Sequence, residues 1–319
     1  MNARASRPTT LLLQRLTLAL KRYLAQAVRG EDRGVHQARV TTRRLREAVP
    51  VLSTGLKGSK ASKARRKIRR LTRALGTVRE LDVTIHLLDE LARSPHVSRT
   101  AVEDVRTRVM KEREGRRTLM LERLQRVDAD KLDRRLASVG TALQAAVAEP
   151  WRKVLAARLL ARSRRLTTAM DEAGHMYAPD RLHAVRIAAK KLRYGLELAA
   201  DSGLRQAAPH LRTIKRVQDM LGKLHDLQVL ESHVAAVQIE RRSGRAGSHE
   251  ALQDLARHIE DQCRHLHGRY VATMPVLREA ALAVRKVIVP QLASPPRRSR
   301  AMKMGLSRRP DPRAVASDR

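Results

Sequence analysis

Two ordered blocks of this chain recur at one separation, and that recurrence limits its fold more than any compositional figure does. Val35-His36-Gln37-Ala38-Arg39-Val40-Thr41-Thr42-Arg43-Arg44-Leu45-Arg46 matches Leu182-His183-Ala184-Val185-Arg186-Ile187-Ala188-Ala189-Lys190-Lys191-Leu192-Arg193, 147 residues further on. Leu75-Gly76-Thr77-Val78-Arg79-Glu80-Leu81-Asp82-Val83 matches Leu221-Gly222-Lys223-Leu224-His225-Asp226-Leu227-Gln228-Val229, 146 residues further on. The chain is therefore read as a duplication, with halves near residues 10–149 and 150–292, each building the same kind of unit. Residues 1–9 form an N-terminal extension in this reading, and 293–319, rich in Pro and Arg, a disordered basic tail.

The unit is helical. Apolar residues fall three and four apart through Ala64, Ile68, Leu71 and Leu75, through Val102, Val105 and Val109, and through Leu252, Leu255 and Ile259. Leu12, Leu16, Leu20 and Leu24 predict a first amphipathic helix rather than a signal or transit segment. Aromatic residues make up 2% of the chain, with no Phe, which argues against β-rich folds and leaves an all-α class. Breaks are expected at 29–34, 53–62, 94–98, 174–180, 202–209 and 242–248, where Gly, Pro and Ser gather.

Sixty-seven Lys and Arg face 32 Asp and Glu, a formal charge of +35. Such an excess makes the compact state repel itself and points to a polyanionic partner. The same scarcity of aromatics disfavours modules that stack bases on aromatic platforms. Cys263 is the only cysteine, so neither an internal disulfide framework nor a CxxC zinc site is available. No apolar run reaches the roughly 18 residues of a membrane span, and an intracellular, cytoplasmic protein is expected.

On a helix, His36, Arg39, Arg43 and Arg46 share an arc of roughly 80° and run about 15 Å along the axis. Ala38, Thr41, Leu45, Ala48, Val49 and Leu52 lie opposite. The second copy repeats the arrangement, with His183, Arg186, Lys190 and Arg193 against Val185, Ala188, Leu192, Leu196 and Ala199. No acid interleaves with the first stripe before Glu47, so ion pairing along the helix does not explain it. A linear anion with repeating charge does. Arg65, Arg66, Arg69, Arg70 and Arg73 form a further cationic face. On the helix after Ser98, Arg106, Arg113, Arg116 and Arg117 project within about 60° of the apolar face. Charges are seldom buried without partners, so either this face lines a wet cavity, the favoured expectation, or the arginines snorkel past the core rim.

The His-x-x-Arg-(Val/Ile)-x-x-(Arg/Lys)-(Arg/Lys)-Leu-Arg helices at His36 and His183, with Tyr194 and the two Leu-Gly elements, resemble the CHAD family, the conserved histidine α-helical domains. The resemblance covers roughly residues 10–292. It implies one domain of two antiparallel four-helix units related by a pseudo-twofold axis, with a basic central cavity. It implies non-catalytic binding of inorganic polyphosphate and localisation at polyphosphate granules. The binding residues it implies are His36, Arg39, Arg43, Arg46, His183, Arg186, Lys190 and Arg193. The neighbouring cations Arg44, Arg66, Arg69, Arg73, Arg113, Arg117, Lys191, Arg212 and Lys215 complete the candidate set. Two departures stand out: Glu80 replaces the more usual Asp, and Gln228 stands opposite Asp82, weakening the match at interhelix contacts.

Catalytic signatures are missing from this reading, and neither a cofactor nor a metal is expected. Gly55, Gly58 and Lys60 imitate a phosphate-binding loop only in composition, and Glu112-Arg113-Glu114 echoes a triphosphate-tunnel strand inside a helical region. Cys263 and His267, four apart beside Glu260, are read as a thiol with a polar neighbour rather than a metal site. The competing function is a nucleic-acid or ribosome-associated helical protein using the same charge. Against it stand the absence of aromatic interleaving and the near absence of Asn or Gln on the stripes, which leave nucleic acid a non-specific partner. His36 and His183, set among cations, are expected to have lowered pKa values that a bound polyanion raises again.

Overall fold

The computed structural model describes residues 8–56, 60–146, 149–240 and 246–294. Every regular element among them is helical: α1 (Pro8–Val28), α2 (Asp32–Leu52), α3 (Lys60–Ala74), α4 (Gly76–Leu91), α5 (Arg99–Gln125) and α6 (Ala129–Ala145) in the first half. The second half holds α7 (Trp151–Ala173), α8 (Pro179–Asp201), α9 (Ala207–Glu240) and α10 (Ala246–Ala283), a π-helical turn (Val284–Ile288) and α11 (Val289–Ala293).

The halves correspond in four parts. α1 packs on α2 as α7 packs on α8, and short turns make each pair antiparallel. α3 with α4 matches α9, which runs unbroken through Leu221 and Gly222 where the first half breaks at Leu75. α5 with α6 matches α10 with the segment after it: α6 returns to pack on α1, as α11 returns to α7. Contacts of α2 with α8, and of α4 and α5 with α9, join the halves, so the two motif helices lie side by side.

Burial follows the sequence periodicity. On α1, Leu12, Leu16, Leu20 and Leu24 are all buried, while Arg15, Lys21 and Arg22 face outward. The faces of α2 and α8 opposite the basic stripes are interior: Ala38, Leu45, Val49, Leu52, Val185, Leu192 and Leu196 are sealed. Val102, Val105, Val109 and Met120 do the same for α5. The N-caps include Ser98 and Asp128, whose side chains accept from the amides of Ala101 and Lys131 and satisfy donors the helix leaves free.

Several boundaries differ from the sequence expectation. α1 starts at Pro8, and Thr9 and Thr10 are buried, so the helix reaches into the expected extension. Gly34, read as part of a loop, lies inside α2. The breaks at Leu75 and between α5 and α6 were not expected. The break expected at 242–248 lies mostly outside the described residues, and the basic tail does so beyond Ser294.

Candidate anion-binding cleft

Where α2 and α8 meet, the stripes do not close over one another, and a cleft of about 1000 Å³ opens toward α3. α2 contributes Arg39, Arg43 and Arg46; α3 contributes Arg65, Arg69 and Arg73. Lys190 and Lys191 enter from α8, Arg158 and Arg162 from α7, and Arg116 from α5. Against these eleven cations stand two carboxylates, Glu47 and Glu80. Glu47 is already engaged: Arg162 donates to both of its oxygens, at 2.7 and 2.8 Å, and Arg158 lies 3.6 Å away. Arg116 pairs with Glu112. Arg39, Arg43, Arg46, Arg65, Arg69, Arg73, Lys190 and Lys191 have no carboxylate in ion-pair range among the described residues. The only aromatic lining the cleft is Tyr194, whose hydroxyl accepts from Arg43 at 3.4 Å.

The crowding shows in the titration of the cleft's deeper groups. Burial, then the charge of Arg43, pulls the Arg39 guanidinium down to about 10. Burial, then Arg186, Arg43, Arg39 and Arg46, pulls the Lys190 ammonium down to about 8. Gly76 makes room for Arg39, because a β-carbon there would stand 2.6 Å from its Nη1.

Seven of the expected residues line this cleft: Arg39, Arg43, Arg46, Arg69, Arg73, Lys190 and Lys191. His36 and His183 stand outside its lining. Burial lowers both imidazoles, and cations add to it: Arg79, Arg39 and Arg43 for His36, Arg186 and Lys190 for His183. The expected direction therefore holds, with burial rather than charge as its first cause. His183 Nδ1 lies 3.3 Å from Nδ1 of His225, which burial and Arg186 pull down to about 4. His225 is the second-half counterpart of Arg79, so each motif histidine faces the same position of the Leu-Gly helix. Arg186, also outside the lining, is lowered by burial beside Asp226.

The remaining expectations fall elsewhere, because acids that are distant in sequence reach these cations in space. Arg113 does not line the cleft; its Nε donates to Asp82 at 2.6 Å and its Nη2 to Asp32 at 2.9 Å. Arg117 donates to Asp32 and to the Gly30 carbonyl, at 3.1 and 2.7 Å. Arg106 reaches Asp89 at 3.3 Å. The α5 face is thus an ion-paired seam against α2 and α4 rather than a wet cavity, and only Arg116 turns into the cleft. Arg44 and Arg193 share Glu197, at 3.6 and 3.5 Å. Arg66, Arg212 and Lys215 are exposed and outside the cleft.

The duplication suggested cations drawn evenly from both halves, yet α9 supplies none of the lining. Gln228, opposite Asp82, donates to the Tyr177 hydroxyl at 3.2 Å, so the second half lacks the acid that holds Arg113 in the first. Cys263, buried beside Tyr177, has its thiol pushed up by burial. Arg158 and Arg162 were missed. Their signal was the spacing of Arg158, Arg162 and Arg165 on one face of α7, but the positions 147 residues earlier are Leu11, Arg15 and Leu18, so the repeat did not flag them.

With the geometry in hand, comparison with known proteins places the fold. No curated protein matches the chain. The CHAD domain of the plant Ricinus communis, a crystal structure, is similar over 87% of this chain and 91% of that one, with a TM-score of 0.59 and 20% identity. The model of the CHAD domain family matches residues 12–235. Most of the chain, including both His-x-x-Arg helices, falls within that match, and the protein belongs to the CHAD domain family.

Proposed function

We propose that this protein binds inorganic polyphosphate in the α2–α3–α8 cleft, without turning it over. The observation that carries the reading is the eleven-to-two excess of cations on one concave wall, most of them without an acid partner. Guanidinium groups pair with phosphate oxygens through two parallel donors, and a linear chain presents such oxygens at every unit. Adenine readout uses Asn or Gln and single-strand readout uses stacking aromatics, and the cleft offers neither amide and one tyrosine already joined to Arg43. Nucleic acid is a non-specific ligand in this reading. Association with polyphosphate deposits inside the cell follows from the same affinity. No described helix is long and apolar enough to cross a membrane, and the reading invokes no membrane surface.

Competition among long-chain polyphosphate, short oligophosphates and duplex DNA, at matched charge and physiological salt, tests it. Long-chain polyphosphate is expected to win by at least about tenfold over DNA, with affinity falling steeply as salt rises. Equal affinity for DNA overturns the reading.

Lys190 adds a signature in pH. In the free protein its pKa is about 8, below its ordinary value of 10.5. A bound polyanion favours the charged ammonium and raises that pKa again, so binding near pH 8 takes up protons. The sign follows: affinity weakens as pH rises through about 8. His36 and His183, lowered by burial and neighbouring cations, would shift in the same direction. In Lys190→Arg the charge no longer titrates there, and calorimetry in buffers of different ionisation enthalpy should find the uptake near pH 8 gone. The same uptake in Lys190→Arg removes this residue from the account.

A further inference from the structure

The cleft is not closed at its α3 end. Arg73 lines it, and the same side chain lines a second groove of about 410 Å³ on the outer side of α3, against the C-terminal end of α5. Lys67, Arg70, Arg123 and Arg126 supply the rest of that groove's charge, over a floor that includes Leu71 and Val127. None of the five cations has a carboxylate in ion-pair range among the described residues. Asp128 caps α6, accepting from the Lys131 amide at 2.8 Å, and that hydrogen bond first, then the Lys67 charge, lowers its carboxyl. Folding thus gathers five like charges from α3 and the C-terminal end of α5 into one concavity with no described carboxylate in ion-pair range.

The opposite end of the cleft differs. There Arg162, Lys191 and Ile187 lead into a groove between α7 and α8 that also holds Arg165 and the carboxylate Glu172, and Arg162 is committed to Glu47. An anionic chain leaving the cleft meets mixed charge on that side and uncompensated charge on the α3 side.

We infer that the α3–α5 groove is an extension subsite, holding the part of a linear phosphate chain that emerges from the cleft past Arg73, and that it sets the preference for long chains. The inference rests on the proposed reading of the cleft. A short oligophosphate fits the cleft alone and gains nothing from the groove; a long one spans both, and the second segment binds at the high effective concentration its tether imposes.

The test uses the full chain, with the reversals Arg70→Glu, Arg123→Glu and Arg126→Glu combined, and a ladder of phosphate chains from tripolyphosphate upward. All three residues are exposed and outside the cleft, so folding should survive, which melting verifies. The wild type should gain affinity with length. The variant should match it within about twofold on chains confined to the cleft. On long chains it should lose about tenfold or more, with a salt slope reduced by about 2 to 3. A variant whose affinity climbs with length in parallel with the wild type overturns the subsite, as does a loss of equal size at every length. Loss of duplex DNA binding with polyphosphate binding intact overturns it too, by making the groove a nucleic-acid surface. A wild type that binds no polyphosphate at any length is a different failure, that of the cleft reading itself. If the reversals lower the melting temperature, Arg→Gln at the same three positions gives the same comparison without added acid, with the same outcomes decisive.

Discussion

Reversing Arg43 and Lys190 together to Glu should weaken long-chain polyphosphate binding by about a hundredfold or more at physiological salt. Each residue lines the cleft and stands among cations rather than beside a carboxylate. A hydrogen bond to a charged group contributes about 1.5–3 kcal/mol, and reversal adds repulsion to the loss of the donor. The same crowding makes the variant informative about folding. With Arg43 also reversed, the carboxylate at position 190 still faces Arg186, Arg39 and Arg46, three of the groups that depress the lysine, and relieves their repulsion. Melting should therefore hold or rise while binding is lost. The control is Arg212→Glu with Lys215→Glu, an equal charge change on exposed residues away from the cleft, which should cost less than about threefold. If the control loses as much as the cleft variant, binding is diffuse attraction to a basic surface.

Gly34→Ala should destabilise the fold by about 2–3 kcal/mol. A β-carbon on Gly34 would stand 2.4 Å from Gln26 Cβ and 2.7 Å from both the Ala27 nitrogen and the Gln26 carbonyl carbon. Two of these atoms belong to backbone, so α1 and α2 would have to separate at their shared turn. A melting temperature about 5 °C lower is the expected reading. Gly222→Ala is the matched contrast. Gly222 lies within α9 with nothing inside 4 Å of a β-carbon, so alanine there should stabilise by about 0.5–1 kcal/mol through helix propensity alone. A Gly34→Ala protein that melts like the wild type would show that the turn yields cheaply.

Gly34 also marks where reading the chain in one dimension stops. Glycine near Gly30 and Asp32 suggests a loop, and Gly30 does take a positive φ of 82° in the turn. Gly34 instead sits in α2, and its missing side chain serves the neighbouring helix. Nothing local distinguishes the two glycines; what differs is how close α1 comes.

The repeated sequence blocks, the helical class, the buried faces of α2 and α8 and the basic stripes were all legible in order and periodicity. They depend on which residues share a helix face, and a spacing of 3.6 residues settles that within one segment. Which cations stay unpaired was not legible. Arg113 and Arg117 look as free along the chain as Arg43 and Arg46, but Asp32 and Asp82, decades of residues away, reach them across the α2–α4–α5 seam. Arg158 and Arg162 enter the cleft from α7, whose counterpart α1 carries Leu11 at one of the two matching positions. A charge is most available to a ligand where no opposite charge lies within a few ångströms. Sequence sets how many cations the chain holds and which helix faces carry them. Only packing sets those short distances, and so only the tertiary structure decided that the cleft opens toward α3 and that its cations come unequally from the two halves.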